Sequence, residues 1–240
     1  MRDMRTIDNW ALLFAQNLAS QNQIPLRVVY SLPPPPDTEA ADGEDGAPPH
    51  PAEMSMTVRH GIFLLDGLKI VAKELSSAKV PFDILCPDSR SEVGKAIHSY
   101  CTHPTHNALA VVCDMSPLRH FRQWTETQAA PLLETASIPL YQVDAHNIVP
   151  VWMASPKREV GARTLRPKIN NLFSKYCTHF PEFSGNSHLR EEVSSTHDWE
   201  QYREFMNLDE SIQSVDGMKA GHDVAMERFH EFCSSTQYGL

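Results

Sequence analysis

Four short apolar runs recur between residues 26 and 143, and each is separated from the next by a stretch with helical periodicity. The runs are residues 26–31, 82–86, 108–113 and 139–143. The third run, ALAVVC, contains no charged residue, which is typical of a strand covered on both faces. Strands that alternate with helices indicate a parallel sheet with helices on both faces, so the sequence predicts an α/β fold.

The stretches between these runs predict the helices that cover the sheet. We expect the first helix to begin at Asp8, whose side chain can cap the free N–H groups. Ser89 and Glu92 have the spacing of a capping box, and Pro131 is expected to end or kink the helix that begins near Pro117. The predicted helices span residues 8–19, 57–77, 89–100 and 117–128, and the stripes of the first two include Trp10, Leu13, Phe14, Leu18, Leu64, Leu68, Val71 and Leu75.

The pattern changes near Pro150. The run 139–143 ends in a polar turn, Pro150 disfavours helix at the residue before it, and only helical periodicity follows. The sequence therefore predicts an α/β domain over residues 1–150 and a helical part over residues 151–240. Within the first domain, residues 33–53 are rich in proline, glycine and acids, which predicts a disordered insertion.

Net charge and cysteine usage limit the classes of protein to which the chain can belong. A net charge of −9 argues against the whole chain being an electrostatic binder of nucleic acid. Five widely spaced cysteines predict free thiols in a reducing compartment. No apolar run approaches the roughly 20 residues that span a bilayer, and the N-terminus has no apolar signal core. We expect an intracellular, soluble protein in the nucleus or the cytoplasm.

Two local clusters have both a functional and a structural interpretation. The stretch CTHPTH at residues 101–106 offers soft ligands, but no second pair follows at a suitable spacing, so we expect no metal site. A basic cluster could contact phosphates, or it could be the solvated face of an amphipathic helix or pair with acids of another domain. Its members are Lys157, Arg158, Arg163, Arg166, Lys168 and Lys175.

Polar residues follow two of the predicted strands, at the ends where ligands gather in parallel α/β sheets. They are Asp114, Ser116 and Arg119 after the third run, and Asp144, His146 and Asn147 after the fourth. The first set could contact a small molecule or could simply form the turn into the next helix. The second set could contact a ligand, or it could hold a turn or lock two domains together. No glycine-rich phosphate loop and no nucleophile–base set is present, so the residues alone predict no chemistry.

Four blocks, in one order, resemble class II cyclobutane pyrimidine dimer photolyases, which are flavin-dependent enzymes that use light to repair DNA. The blocks are DNWALLFAQNLA at 8–19, DMSPLR at 114–119, DAHNIVPVWMAS at 144–155 and RPKI at 166–169. The resemblance covers most of the chain except the insertion. It implies a Rossmann-like α/β domain of five parallel strands, the antenna-type domain, followed by linker helices and a helical domain that holds FAD and the DNA lesion.

The resemblance also implies two departures in this chain. The family's first strand lies just before the segment that matches residues 2–5, so we expect that strand to be missing and to leave a gap in the sheet or to force pairing of the wrong edges. Most flavin-binding helices are expected beyond Leu240, with Tyr238 near a tyrosine at the entrance to that domain. We therefore expect a truncated N-terminal portion, with no catalytic residue of its own, that does not repair DNA alone. The candidate cofactor contacts are Asp114, Ser116, Arg119 and Tyr238.

Cofactors and partners follow from the resemblance as well. It implies FAD, an antenna chromophore, no metal, damaged DNA as partner, no membrane, and a monomer if the protein is complete. Trp152, Trp199 and Tyr202 could relay electrons or could be ordinary core aromatics. The alternative function is a non-catalytic α/β binding or interaction module derived from the photolyase fold. A nucleotide-binding domain of the universal-stress type is disfavoured because the glycine-rich phosphate loop is missing.

Overall fold

The computed structural model describes residues 4–35, 55–185 and 196–234. The predicted insertion at 33–53 falls largely outside these ranges, and Tyr238 lies wholly outside them. The strands are β1 Val28–Ser31, β2 Phe82–Leu85, β3 Val111–Asp114 and β4 Leu140–Val143. The helices are α1 Trp10–Asn22, α2 Val58–Ser77, α3 Val93–Thr102, α4 Arg119–Arg122, α5 Ala130–Thr135, α6 Val151–Ala154, α7 Ala162–Tyr176, α8 Trp199–Met206 and α9 His222–Ser234.

The described strands form two parallel pairs rather than one continuous sheet. β1 pairs with β2 in a register that sets Val28 opposite Phe82, and β3 pairs with β4 with Val111 opposite Leu140. Within the described ranges, β1 and β3 are not hydrogen-bonded to each other. The α/β fold with parallel strands is confirmed. The interruption lies between β1 and β3, and of the two outcomes that the resemblance implied for a missing first strand, a gap or pairing of the wrong edges, the structure shows a gap.

Two helices begin at residues other than the predicted ones. Asn9, not Asp8, caps α1, because its side chain accepts the N–H of Leu12 at 3.1 Å. Asp8 instead has a left-handed backbone with φ of 53°. The predicted capping box before α3 is wrong, since α3 begins at Val93 and its N-cap side chain makes no capping hydrogen bond. The Gln128 side chain of a neighbouring helical segment accepts the N–H of Gly94 at 3.1 Å instead.

The helix that was expected to end or kink at Pro131 continues through it. A π-helical turn, Gln123–Ala129, joins α4 to α5, and Pro131 lies in the first turn of α5. The wider turn is visible in the N–H of Ala130, which bonds to the carbonyl of Thr125, five residues back. Proline has no N–H to donate and is tolerated in the first turn of a helix. The segment therefore becomes π-helical before Pro131 and returns to α-helical geometry at α5.

Each strand pair has its own apolar core. The larger core buries residues of α1, α2, β1, β2 and α8, among them Leu68, Val71, Leu75, Phe82 and Met206. The smaller core joins α3, α5 and the β3–β4 pair around Cys101, Ala129, Leu133 and Ile138. The predicted stripe of α2 is largely correct, whereas α1 buries Ala11, Leu12, Leu13 and Ala19 and leaves Phe14 38% exposed.

The third predicted strand is less covered than its apolar sequence indicates. All four residues of β3 are only half-buried, and Leu109 just before it is 61% exposed. The reason is the interruption of the sheet, because among the described strands β3 is hydrogen-bonded only to β4. In the helical part, α7 and α9 contain no buried residue.

Candidate functional site

The carboxyl ends of β3 and β4 bring most of the predicted site residues to one edge. Asp114 lies opposite Val143 in the register of the pair, and the N–H of Met115 donates to the Val143 carbonyl at 2.8 Å. Ser116 and Asp144, the residues that follow, are both buried. Asp114, Ser116 and Asp144 therefore lie at the carboxyl ends of β3 and β4, where the sequence predicted them.

Asp144 is the centre of a hydrogen-bonded turn. Its carboxylate accepts the N–H of Asn147 at 3.2 Å and both its oxygens contact the Asn147 amide nitrogen at 3.0 Å. It also accepts the N–H of Val151 at 2.9 Å, at the first residue of α6, and that of His146 at 3.4 Å. The His146 side chain is exposed. A carboxylate with this many donors has little capacity left for a ligand, so the geometry favours the structural interpretation, a turn that joins β4 to α6.

The turn after β3 has a similar character. The buried Ser116 hydroxyl accepts the N–H of Leu118 at 3.3 Å, just before α4 begins. Arg119 is the first residue of α4 and is exposed. This geometry suits the strand-to-helix interpretation of the loop. The roles of Asp114, Ser116 and Arg119 as cofactor contacts stay a prediction, and that of Tyr238 falls outside the described residues.

A cavity of about 610 Å³ lies between β1 and β3; we call it the interstrand slot. Val28 and Val29 line one side and Val111 and Val112 the other, and α1 and α3 close the two faces. Burial raises the pKa of the thiols of Cys101 and Cys113, which also line the slot, to about 11. Both are therefore neutral and poorly nucleophilic at neutral pH.

A second cavity, of about 760 Å³, lies between residues 6–8, the end of α2 and residues 180–184. Its lining includes the acids Asp8, Glu74 and Glu182. The Thr6 hydroxyl donates to the Glu74 carboxylate at 2.6 Å. An acidic lining disfavours anionic ligands such as phosphates.

A charged cluster at the amino ends of β1 and β2 was not predicted from the sequence. Arg27 forms an ion pair with Asp83 at 3.0 Å, and the Tyr100 hydroxyl donates to the same carboxylate oxygen. Burial and then the hydrogen bond to Asp83 raise the pKa of Tyr100 to about 12. The cluster ties α3 to the β1–β2 pair. Sequence spacing offered no signal for it, because its members are 17 to 73 residues apart.

The basic cluster of the sequence is largely a solvated surface. Lys168 is its one half-buried member among the six residues, all of which the structure describes, and its ammonium donates to Glu159 at 2.5 Å and to the Ser155 hydroxyl at 3.0 Å. Hydrogen bonds from Lys168, Ser155 and Thr164 lower the pKa of Glu159 to about 2. This cluster fastens the start of the long helix α7 to the segment after α6.

The three aromatic residues that could relay electrons, Trp152, Trp199 and Tyr202, lie in different surroundings. Trp199 and Tyr202 lie with ring centroids 5.7 Å apart, and both contact His197, which packs on Phe82 of the larger core. Trp152 is 52% exposed. Trp199 and Tyr202 therefore serve as packing residues between α8 and the core.

The described residues contain neither a metal-ligand cluster nor a membrane-spanning helix. Among them, no group of three or more His, Cys, Asp and Glu side chains is placed to hold a metal ion. His106 instead stacks on Tyr100 with ring centroids 4.0 Å apart, and its Nδ1 lies 2.8 Å from the Tyr100 carbonyl oxygen. In the same ranges no helix has the length and apolar character needed to cross a bilayer.

Comparisons with known proteins agree on one family. Residues 1–184 match the family model described as DNA photolyase. The chain is 34% identical over 220 residues to a deoxyribodipyrimidine photo-lyase of Potorous tridactylus, and the aligned region covers 92% of this chain and 37% of that protein. It is 31% identical over 229 residues to the photo-lyase of the same name from Oryza sativa subsp. japonica, with 95% and 41% covered. The chain thus spans about two fifths of the length of these relatives. A Synechocystis cryptochrome structure shares the fold, with a TM-score of 0.62 at 12% identity over 98% of this chain and 45% of that one.

Proposed function

Because the chain belongs to the DNA photolyase family, we propose that residues 1–240 form the α/β domain and adjoining helices of a deoxyribodipyrimidine photo-lyase. Such an enzyme uses light to split cyclobutane pyrimidine dimers in DNA, and reduced FAD supplies the electron when it is bound. The observation that carries the proposal is the 34% identity to the Potorous tridactylus photo-lyase over 92% of the chain. The parallel α/β arrangement with its flanking helices supports it.

Class II is the finer assignment that we propose. Its support is the four sequence blocks of that class, one of which now has a structural explanation. The block at 144–155 begins with Asp144, whose buried carboxylate holds the start of α6. Residues with such interlocking roles tolerate few substitutions, so a shared block of this kind is more specific than a shared apolar stripe.

Neither the interstrand slot nor the second cavity fits FAD. The interstrand slot is lined mainly by aliphatic side chains, and the guanidinium of Arg27, which also lines it, is already paired with Asp83. The second cavity is acidic. A flavin dinucleotide carries a diphosphate that needs cations or free N–H groups. We therefore assign no electron-transfer step to these residues and propose that FAD and the DNA lesion are held mainly by polypeptide outside the described ranges.

The helical part has surfaces suited to contact with such polypeptide. Residues near α6 leave apolar side chains in solvent, and the exposed ones there are Ile148 at 55%, Trp152 at 52% and Met153 at 51%. In α9, Phe229 is 55% exposed. Exposed apolar residues that lie close together in sequence suit an interaction surface. The division into an α/β domain over 1–150 and linker helices with the start of the flavin-binding domain over 151–240 is part of the proposal, and it is supported by the position of β4, the last described strand, before residue 150.

A chimaera tests the proposal directly. Residues 1–240 replace the aligned segment of the Potorous tridactylus photo-lyase, and the loss of dimers from ultraviolet-irradiated DNA is measured under blue light and in the dark. We expect repair in the light only. Residues 1–240 alone, illuminated in the same way, should leave the dimers intact.

Two results would contradict the proposal. Light-dependent repair by residues 1–240 alone would refute the placement of the flavin site elsewhere. A chimaera that melts cooperatively and carries flavin but repairs nothing would favour the alternative, a non-catalytic binding or interaction module with the photolyase fold.

A further inference from the structure

Four aromatic side chains lie in a row along one face of α1, and we call them the aromatic row. Trp10 and Phe14 are four residues apart, so they share a face of the helix and lie about 6 Å apart along its axis. The Trp10 ring packs on that of Phe180 with centroids 4.6 Å apart, and the Phe14 ring packs on that of Tyr141 at 5.7 Å. The row therefore runs from the segment after α7, across α1, to β4.

The aromatic row is open to solvent for most of its length. Phe14, Tyr141 and Phe180 are all exposed, and so is Ile7, which precedes α1. A single exposed ring on a surface needs no explanation, but these rings come from three separate parts of the chain and contact one another in pairs. Aromatic side chains contribute strongly to binding when a partner buries them, so the row suits an interaction surface.

The second cavity adjoins one end of the aromatic row, because Phe180 and Ile7 belong to its lining. The same lining contains the carboxylates of Asp8, Glu74 and Glu182, and among the described residues that line it there is no basic side chain. Asp8 and Glu74 are half-buried, whereas Glu182 is exposed at the rim. An ammonium or guanidinium group placed here would form charge-assisted hydrogen bonds with these carboxylates.

Hydrogen bonds hold one wall of this surface in place. The side-chain oxygen of Gln16 on α1 accepts the N–H groups of Ser184 and Gly185 at 2.8 and 2.9 Å. A Cβ atom at Gly185 would collide with the Ala78 carbonyl, so this segment lies close against the end of α2. The segment that carries Phe180 is therefore fixed before any partner arrives, which reduces the entropy that binding has to offset.

Charge decides which kind of partner fits. The carboxylates of the second cavity repel the phosphates of a nucleic acid. A second copy of this chain has the same net charge of −9 and presents the same carboxylates, so two copies repel each other here. A cationic side chain is attracted by the carboxylates and also by the faces of the aromatic rings. The surface thus suits a polypeptide that is both basic and apolar.

We propose that the aromatic row and the second cavity together bind a short segment of a partner protein in which a lysine or arginine lies beside large apolar side chains. The cationic group enters the second cavity, and the apolar side chains pack on the aromatic row. The charge fixes the register of the segment, and burial of the rings supplies most of the affinity. This inference does not depend on the proposed photochemistry.

A library of random peptides of about ten residues, displayed on phage, is the probe. Selection on residues 1–240 should recover peptides in which a lysine or arginine lies within about three positions of leucine, phenylalanine or tryptophan. A synthetic copy of a recovered peptide should bind one-to-one, and more weakly as the salt concentration rises. Glutamine in place of its basic residue should weaken binding at least about tenfold.

Exposed residues of the protein locate the site without disturbing its core. Phe14→Ala removes a ring of the aromatic row, and Glu182→Gln removes a carboxylate of the second cavity. Each should weaken peptide binding at least about fivefold and leave Tm nearly unchanged. Phe229→Ala and Glu227→Gln are the matched controls, since they remove an exposed ring and an exposed carboxylate from α9. Both should leave binding within about twofold.

Three results would overturn the proposal. One is a selection that recovers no binding peptide, or only peptides without an excess of basic residues. Another is equal binding by the Phe14→Ala and Phe229→Ala variants, or a loss confined to Phe229→Ala, which would place the peptide elsewhere. The third is a peptide-free dimer that Phe14→Ala dissociates, because a second copy of the chain would then occupy the aromatic row.

Discussion

The buried carboxylate of Asp144 accepts the backbone N–H of Val151, seven positions further along the chain, at 2.9 Å. One side chain at the end of β4 thereby sets the position of the first residue of α6. Asn147 completes the arrangement by donating its amide to both carboxylate oxygens at 3.0 Å. The junction between the sheet and the helical part is thus held by hydrogen bonds, and the buried side chain of Val149 lies in the same turn.

Removal of the Asp144 carboxylate should destabilise the fold. Asp144→Ala leaves several part-buried N–H groups without the buried carboxylate that accepts them, which we expect to lower the free energy of unfolding by about 2 kcal/mol. Urea denaturation followed by circular dichroism measures the change. The junction should loosen locally, with faster hydrogen exchange at Val151.

An exposed cap provides the control. Asp198 caps α8 by accepting the N–H of Gln201 at 3.0 Å, but it is exposed. Asp198→Ala should cost about 1 kcal/mol or less. An equal or smaller loss for Asp144→Ala would show that the buried turn is not the stronger junction.

The Glu159–Lys168 ion pair should make the free energy of unfolding depend on pH in the acid range. The pKa of Glu159 is lowered from 4.5 to about 2, first by the hydrogen bond from Lys168. The folded state therefore holds the proton less tightly, and the stabilisation is present above pH 4.5 and is lost as the pH falls toward 2. In Lys168→Met, carbon-detected titration should place the pKa of Glu159 closer to 4.5.

The exposed Lys157 provides the matched control for this pair, since its side chain lies outside the Glu159 hydrogen bonds. Lys157→Met should leave the pKa of Glu159 at about 2. If Lys168→Met also leaves it there, the ion pair is not the main cause of the shift.

Much of the fold could be predicted from local periodicity. The predictions that were wrong or missing have physical causes. Three of the four strands lie within the predicted apolar runs and β3 extends one residue beyond its run, to Asp114, because short apolar segments between helices have few other ways to be buried. The start of α3 was misplaced because Gln128, remote in sequence, replaces the expected capping box. The π-helical turn before Pro131 was missed because it carries no signature beyond the proline itself.

The candidate site, too, could be predicted only in part from the sequence. That Asp114 and Asp144 share an edge followed from parallel strands, which end on the same side. The saturation of the Asp144 carboxylate depends on how the turn closes, so the sequence left the ligand and turn interpretations both open. The cluster of Arg27, Asp83 and Tyr100 is assembled by three different elements, and no local pattern could reveal it.

Gly94 allows α3 to approach the π-helical turn closely. A Cβ atom at this position would lie 2.4 Å from the Gln128 Cβ and 2.8 Å from the backbone nitrogen of Ala129. Gly94→Ala should therefore destabilise the protein by about 2 kcal/mol through overpacking, as measured by urea denaturation. Gly161→Ala, where nothing lies within 4 Å, should change stability by less than about 0.5 kcal/mol. Similar values for both variants would contradict the close approach.

Tyr100 and Tyr30 both have a raised phenol pKa, but for different reasons. Both have a pKa of about 12, but burial alone accounts for Tyr30, whereas Tyr100 also has its hydrogen bond to Asp83. A folded pKa above the ordinary value of 10.0 means that the folded state holds the proton more tightly. The stabilisation is therefore complete below pH 10 and is lost as the pH rises through 12.

Asp83→Asn tests this separation. The neutral amide no longer repels the phenolate, so the pKa of Tyr100 should fall toward 10, helped by Arg27, whose charge favours the ionised phenol. The pKa of Tyr30 should stay near 12, because no group of this cluster contributes to it. Titration of the two phenols by nuclear magnetic resonance reports both values in one sample. Parallel movement of the two would mean that the substitution has loosened the whole core, whereas an unchanged Tyr100 would show that burial alone sets its pKa.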